Sequence, residues 1–590
     1  MINNQKGKKL LSVFLSVVLA LSSFGIVFAE SSEIRGHWAE KQLGDWIDRG
    51  LMTGYLDGSY KPNNNITRSE FVALVNRIYQ FDEKTEPGFT DVSAEANQWV
   101  YDEVSKAKKA GYINGFVDGS FKPNDSITRQ EVAAIISRIE KLEPNPDSEI
   151  LKNYVDANDI PEWSKADIGA VVVKGYMRGT PENQFKALAQ IARAEVVTAL
   201  DRVATKDLTA ADAKPLFDAI RKQQEIKTME SKGSLYLALK ADGLSEEEQA
   251  VFDEIADVVN STKIDAASKA VMNDDGTKVT AETSLSAKAK GFDVNTTIWV
   301  DMDMSGDTQK LTEVVKVPEI LAGFMPEELQ GKEYLVIDDQ GANQSNAGNP
   351  KELMEASKKL QDSMMKIIEK YMDEANTDFG IVKDRGIKVI NTSEGKDYAR
   401  IYQIRLDDAT LKAVIKNSVN DLAQDKDFIK LVKEYMLMMA EFETNPEVKA
   451  ELEKAAAELE NNTDAFIASF NKAMDILDDV TLIGQRGIAI DYTVNSQGYI
   501  INEKGNADFV VDTTKLGKAI AEIAGETAAE EPTTAGVYSI GIDFDTDIFN
   551  INGDIKVEMP TITKENSMTV EELAAALAAQ AEANQDDTIE

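Results

Sequence analysis

The chain has 590 residues, more than one ordinary core accommodates, so several domains are expected. Its 102 Asp and Glu outnumber 64 Lys and Arg, for a net charge of -38. A surface of that sign repels phosphate and excludes nucleic acid and anionic lipid as main partners. The absence of cysteine excludes a disulfide framework and a lipid-modified N-terminal cysteine.

The first 29 residues read as a secretory signal. Lys6, Lys8 and Lys9 precede an apolar run from Leu10 to Ala29, and Val27-Phe28-Ala29 fits a small-x-small cleavage site. The alternative is an uncleaved membrane anchor; no later stretch is apolar and long enough to span a bilayer.

From residue 34 the chain repeats itself. Trp38, Trp99 and Trp163 are spaced by 61 and 64 residues, and so are Gly54, Gly115 and Gly179, and Arg68, Arg129 and Arg193. Three positions in one register define three units, expected at 34–80, 89–141 and 154–203, each a supersecondary module. Each unit reads helix, loop, helix. Gly50 and Gly111 stand where a helix should end. "GYLDGSYKPN" is turn chemistry, and Thr67-x-x-Glu70 and Thr128-x-x-Glu131 are capping boxes that open the second helix. The arginine after each cap is not explained by capping, because the first turn of a helix disfavours a cation. It is either half of a salt bridge or, with the helix amides, an anion site.

The tryptophan, the "G-x-x-DG-x-F-x-P" loop and the "ITR-x-E" helix start resemble the S-layer homology (SLH) module. That resemblance implies an all-α pseudo-trimer that binds pyruvylated secondary cell-wall polysaccharide on a Gram-positive surface. It implies polymer binding by Arg68, Arg129 and Arg193 and by Asp91 and Asp156 of the opening aromatic-x-Asp, which the first copy lacks. Trp38, Trp99 and Trp163 match the family's tryptophan, as ligand contacts or as core. Gly54 and Gly115 would allow close ligand approach. The third copy lacks the "DG" loop and has Ala192 in place of threonine, so it is either structural or a weak binder. A pyruvyl carboxylate suits a bidentate guanidinium, and several weak sites on one polymer add by avidity.

Residues 204–590 hold 40 basic against 74 acidic side chains, whereas 30–203 hold 21 against 28. Helical spacing marks Glu246–Asn260, Lys351–Glu374, Ala409–Glu441, Pro446–Glu460 and Thr463–Asp478. Alternation marks strands at Ala281–Lys290, Asp293–Asp301, Lys332–Asp338, Tyr398–Leu406, Gly487–Val494, Tyr499–Val511, Val537–Asp545 and Ile548–Met559, with "NDDG", "MSGD" and "EKGN" as turns. The fold class is therefore α+β multidomain, with an antiparallel sheet and helices on one face over 204–562. "GETAAEEPTTAG" is a linker, and 563–590 is a capped helical acidic tail. The layout, with "MPEELQGKEYLVID", resembles the half-barrels of bacterial lipoprotein carriers, which implies an apolar ligand on the concave face.

Beyond residue 203 there is neither histidine nor cysteine, which removes a Ser-His-Asp triad, a Cys-His pair and a His-ligated zinc. Paired carboxylates remain open, so a wall-associated hydrolase is the alternative to a non-catalytic displayed domain, beside an S-layer lattice subunit. Asp301, Asp303, Ser305 and Gly306 fit the start of a calcium loop, but position 12 is Thr312, and a plain hairpin is the reading. Met436, Met438 and Met439 read as helix core. No cofactor or metal is expected.

Overall fold

The computed structural model describes residue 34 and residues 37–586, apart from 56–58, 144–148, 208–209, 275, 290–291, 306–309, 323–324, 339–370, 372–375, 377, 393–394, 443–445, 459–462 and 525–534. The signal segment, most of the helix expected at Lys351–Glu374 and most of the linker lie outside the described residues. The chain forms two compact units. Of the described residues, one comprises those within 34–207 and 383–402, the other those within 208–382 and 403–586.

In the first unit six described α-helices come two to a repeat: α1 (Glu40–Asp48) and α2 (Arg68–Tyr79), α3 (Gln98–Ala110) and α4 (Arg129–Ile139), α5 (Glu162–Val173) and α6 (Arg193–Ala204). Gly50 and Gly111 follow α1 and α3 with φ of 66° and 79°, the left-handed exit that favours glycine. Thr67 and Glu70 form a reciprocal capping box, and at the second repeat the amide and hydroxyl of Thr128 both donate to Glu131 Oε2. Ala192 keeps half of that box, because its amide still donates to Glu195 Oε2 at 3.0 Å.

The three second helices start beside one another. The amide of Ile66 donates to Ile191 O, that of Ile127 to Ile66 O and that of Ile191 to Ile127 O, each at 3.1 Å, which closes a ring of backbone bonds. Short bridges Asn65–Ala192, Thr67–Ser126 and Thr128–Gln190 flank it. The core beneath is continuous through all three pairs and includes Trp46, Phe71, Phe121, Ile136, Phe185 and Leu200.

Sequence order did not anticipate residues 383–402 in this unit. They belong to two hairpin strands, Val382–Thr392 and Gly395–Leu406, and the first pairs antiparallel with Lys206–Asp207. Ile387 joins the core, and Val389 N donates to Arg49 O at 2.9 Å.

In the second unit ten described strands form one sheet: β1 (Thr228–Asp242), β2 (Lys263–Met272), β3 (Lys278–Ala289), β4 (Phe292–Asp303), β5 (Lys310–Lys316), β6 (Tyr334–Asp338), β7 (Ile483–Val494), β8 (Ile500–Asp512), β9 (Val537–Phe549) and β10 (Ser567–Thr569). Their order is β7-β8-β9-β1-β2-β3-β4-β5-β6-β10, antiparallel except for β6 with β10. Opposite residues in the ladder share a face. One face carries Phe544, Leu235, Ile264, Ala287 and Val294, with Ala266, Leu285 and Ile298 buried beside them.

Three expectations are corrected here. "EKGN" is no turn but the middle of β8, where Gly505 lets the Phe544 ring lie across it; a Cβ would stand 3.0 Å from Phe544 Cζ. The strand expected at Ile548–Met559 stops at Phe549, because Asn550 and Asn552 take positive φ of 50° and 56°. None of the three clustered methionines is buried; the helix Lys426–Phe442 buries Leu431 and Ala440 instead. The tail helix Val570–Asp586 is capped by Thr569 and Glu572.

Candidate functional site: the junctions between the helix pairs

Each motif arginine reaches out of its own repeat into the next. Arg68 is buried. Its Nε donates to Phe121 O at 2.8 Å, and its Nη1 lies 2.7 Å from Glu131 Oε1. Arg129 repeats the pattern one repeat on, with Nε to Phe185 O at 2.8 Å, Nη1 to Glu195 Oε1 at 2.7 Å and Nη2 to Arg178 O at 2.8 Å. Arg193 closes the circle, with Nε to Tyr60 O at 3.1 Å and Nη1 at 3.5 Å from Glu70 Oε1. Burial pulls the Arg68 and Arg129 guanidinium groups below their usual range, opposed by the facing carboxylates. The motif thus has one economy: the glutamate that caps its own helix with one oxygen receives the preceding repeat's arginine with the other. The arginines expected to grip a polymer anion are engaged inside the unit, because burial demands a counter-charge.

Two of the arginines share an aromatic ring with a lysine. Phe116 has the Arg68 guanidinium 4.8 Å from its centroid and Lys122 Nζ 4.3 Å from it. Tyr55 has Arg193 at 4.7 Å and Lys61 at 4.4 Å. Each contact is a cation–π contact of the ordinary kind. Burial, then the bond to Glu70, pushes the Tyr55 hydroxyl up to about 12. The third repeat has Thr180 where the ring would be, so the shared ring occurs at two of the three junctions.

Lys61, Lys122 and Lys186 occupy one register, each with positive φ of 47°, 56° and 57°. Sequence reasoning passed over them, although a lysine after the loop aromatic in all three copies was the available signal. Asp91 and Asp156 hold these loops in shape. Asp91 accepts from the amides of Phe121 and Lys122 at 2.7 and 2.8 Å, and Asp156 from those of Phe185 and Lys186 at 2.8 and 2.7 Å. Both oxygens of each carboxylate accept a loop amide, so these aspartates shape the loops that carry the lysines.

The tryptophans stand outside. Trp38, Trp99 and Trp163 are 64%, 42% and 58% exposed, which removes the core alternative for them. The core tryptophan of this unit is Trp46. Gly54 is exposed. Gly115 has a packing requirement of its own: a Cβ there would stand 2.5 Å from Phe89 Cε1 and 2.8 Å from Ser120 O. The ring of Tyr154 fills the same space at Gly179. Replacing Gly115 by alanine is expected to cost about 1–3 kcal/mol by overpacking. Thermal unfolding measures this, and Phe89→Leu in the same chain should return part of it.

In the second unit Asp303, a candidate calcium ligand, accepts from Ser305 N at 2.9 Å and pairs with Lys278 at 2.8 Å, which holds its carboxyl below the usual range. Among the described residues no group of three His, Asp or Glu side chains is arranged to hold a metal ion. Burial raises the carboxyls of Glu313 and Glu503, on β5 and β8, with five strands between them in the sheet. A carboxyl raised by burial stabilises the fold below its unfolded pKa, and that contribution is lost as pH rises through the folded pKa. Glu503→Gln should therefore gain stability at neutral pH, by about 1 kcal/mol, and little near pH 4. Urea unfolding at the two pH values reads the difference.

The model of the S-layer homology domain matches residues 34–72 and 88–133. An amylopullulanase of Thermoanaerobacterium thermosulfurigenes is 31% identical over 168 residues, covering 28% of this chain and 9% of that protein. A surface-layer 125 kDa protein of Lysinibacillus sphaericus is 25% identical over 228 residues, 37% of this chain and 18% of that protein. A cellulosome-anchoring protein of Acetivibrio thermocellus is 28% identical over 159 residues, 26% and 35%. The chain thus spans well under two thirds of the curated relatives it matches. No helix among the described residues is long and apolar enough to cross a membrane. The chain carries S-layer homology sequence in its first unit and is a cell-surface protein anchored at the cell wall.

Proposed function

We propose that residues 34–203 act as three tandem SLH modules, a three-fold pseudo-symmetric bundle that binds an acidic, pyruvylated secondary cell-wall polysaccharide. The observation that carries this reading is the three tryptophans, one per repeat and in one register, all exposed where aromatics are ordinarily covered. A flat exposed ring takes the apolar face of a sugar. Lys61, Lys122 and Lys186 on the adjoining loops supply charge for its carboxylates. The arginines act one layer down. They fix the junctions, and Arg68 and Arg193 place a second cation at the ring that a lysine also contacts. This answers why one chain repeats the arginine: each junction needs one.

The test is co-sedimentation with purified wall sacculi, with and without the secondary polymer. Trp38→Ala, Trp99→Ala and Trp163→Ala should each weaken pelleting by roughly tenfold, the worth of about 1.4 kcal/mol, with unchanged unfolding temperature. Equal pelleting of the triple variant and the parent sinks this reading.

The second unit is displayed at the wall as a ligand-binding or structural domain. Its broad antiparallel sheet with one apolar face supports the half-barrel likeness and an apolar ligand on that face. The amylopullulanase match covers 9% of that protein and 28% of this chain, so it carries no activity over to the second unit.

A further inference from the structure

The chain passes from one unit to the other three times, at residues 207–208, 382–383 and 402–403. The anchoring unit is therefore built from two pieces, the helices of 34–207 and the hairpin 383–402 supplied from the C-terminal half. The hairpin is part of the core. Ile387 is buried in it, and Val389 and Tyr398 pack against it. Val389 N donates to Arg49 O at 2.9 Å, while Ile387 O and Arg385 O accept from the Arg49 guanidinium at 3.0 and 2.6 Å. Lys383 and Asp384 pair with Asp207 and Lys206. Arg385 donates to Thr205 Oγ1 and to Asp45 Oδ2, both at 3.2 Å.

A connecting segment between domains makes few contacts. This one grips both ends of the N-terminal piece, at Asp45–Arg49 beside α1 and at Thr205–Asp207 after α6. Backbone pairing to a separate stretch of chain is strand addition, the way one protein captures an extended segment of another. Here an apolar side chain in the core and charges paired out of water add to it. None of these contacts needs the chain to be continuous at 207–208. The hairpin's own strands, Val382–Thr392 and Gly395–Leu406, carry the chain back into the second unit.

We infer that the hairpin is a second, non-covalent tether: when the direct connection at 208–209 is cut, its grip keeps the second unit on the anchor. A displayed domain joined to its anchor by one strand of chain is shed by one cut. This one is shed only when the cut and the release of the hairpin coincide. The tether rests on contacts inside the anchoring unit and not on polymer binding, so it stands or falls separately from the anchoring reading.

The test inserts a protease recognition sequence between Leu208 and Thr209 of the full chain and cuts it to completion, shown by two bands under denaturing conditions. Size exclusion with light scattering in native buffer, at about 1 μM, should return one species with the mass of the uncut protein. Both fragments should pellet together with wall sacculi. Ile387→Asp puts a charge into the core and should speed separation of the fragments about a hundredfold. Val389→Pro removes one amide donor and should speed it about tenfold. Being milder, it decides the matter if Ile387→Asp does not fold. Parent fragments that elute separately overturn the inference. So do fragments that separate no faster in the variants, which would assign the hold to other contacts. Cut protein that stays whole but does not pellet sinks the anchoring reading and leaves the tether standing.

Discussion

Replacing Arg129 by alanine is expected to lower the unfolding temperature of the N-terminal unit by roughly 6–20 °C, from about 3–5 kcal/mol at the slope of a domain of this size. The size follows from what is stranded. Arg129 is buried and satisfies three acceptors at once: Phe185 O, Arg178 O and Glu195 Oε1. Without it two carbonyls and a partly covered carboxylate lose their donor at the junction of the second and third repeats. Lysine does not restore the site, since one ammonium cannot span three acceptors laid out for a planar fork. Glu195→Gln should cost less, because the amide still accepts from the guanidinium. Scanning calorimetry of the four proteins decides between this and the rival role. An arginine that only grips polymer would leave Tm unchanged and abolish pelleting with sacculi.

The register of tryptophan, glycine and arginine was legible because a repeat states its own alignment, and the capping boxes were legible because capping is local. The arginine's partner was not. Glu131, Glu195 and Glu70 each sit in the same motif as an arginine, and the pairing runs to the next copy's glutamate, which only the closed ring of Ile66, Ile127 and Ile191 brings within reach. Exposure of Trp38, Trp99 and Trp163 also needed the fold, since a tryptophan at the start of an amphipathic helix suits either side. In the second unit Glu246–Asn260 matches its periodicity end to end. The strand Thr228–Asp242 was passed over, because Lys, Glu and Ser fill its first half where it presents the polar face. "EKGN" misled for the converse reason: glycine marks a turn locally, but at Gly505 a Cβ would meet Ala489 O at 2.6 Å and the Phe544 ring at 3.0 Å, both from adjacent strands.

The hairpin at 383–402 was the least legible element, and Arg49 holds it. Arg49 reads in sequence as an ordinary basic residue at a helix end, yet it is 2% exposed. Its Nε donates to Ile387 O at 3.0 Å and its Nη2 to Arg385 O at 2.6 Å, while Nη1 pairs with Asp45 at 3.0 Å. Arg385 returns from the hairpin to the same Asp45 Oδ2 at 3.2 Å, and Asp201 lies 3.7 Å from both guanidinium groups while accepting from Trp46 Nε1. Two arginines and two aspartates therefore neutralise one another where water is excluded. Gly386, inside the strand Val382–Thr392 and between the two accepting carbonyls, has φ of 86° and a Cβ position 3.1 Å from Arg49 Nη2. Arg49→Met keeps the volume and removes the charge, which leaves Asp45 and Asp201 facing Arg385 alone and strands both hairpin carbonyls. The expected loss is again about 3–5 kcal/mol, and it should be unevenly distributed. Amides of residues 383–392 should exchange tens of times faster at temperatures where α3 and α4 remain protected, because the hairpin is the part whose anchor has gone. Asp45→Asn should loosen it less, since Asp201 remains within reach of both arginines. Uniform acceleration across the whole unit would mean that Arg49 supports the helices and not the hairpin. Unchanged exchange at 383–392 would mean that Ile387 and the pairing with Lys206–Asp207 hold the hairpin without it.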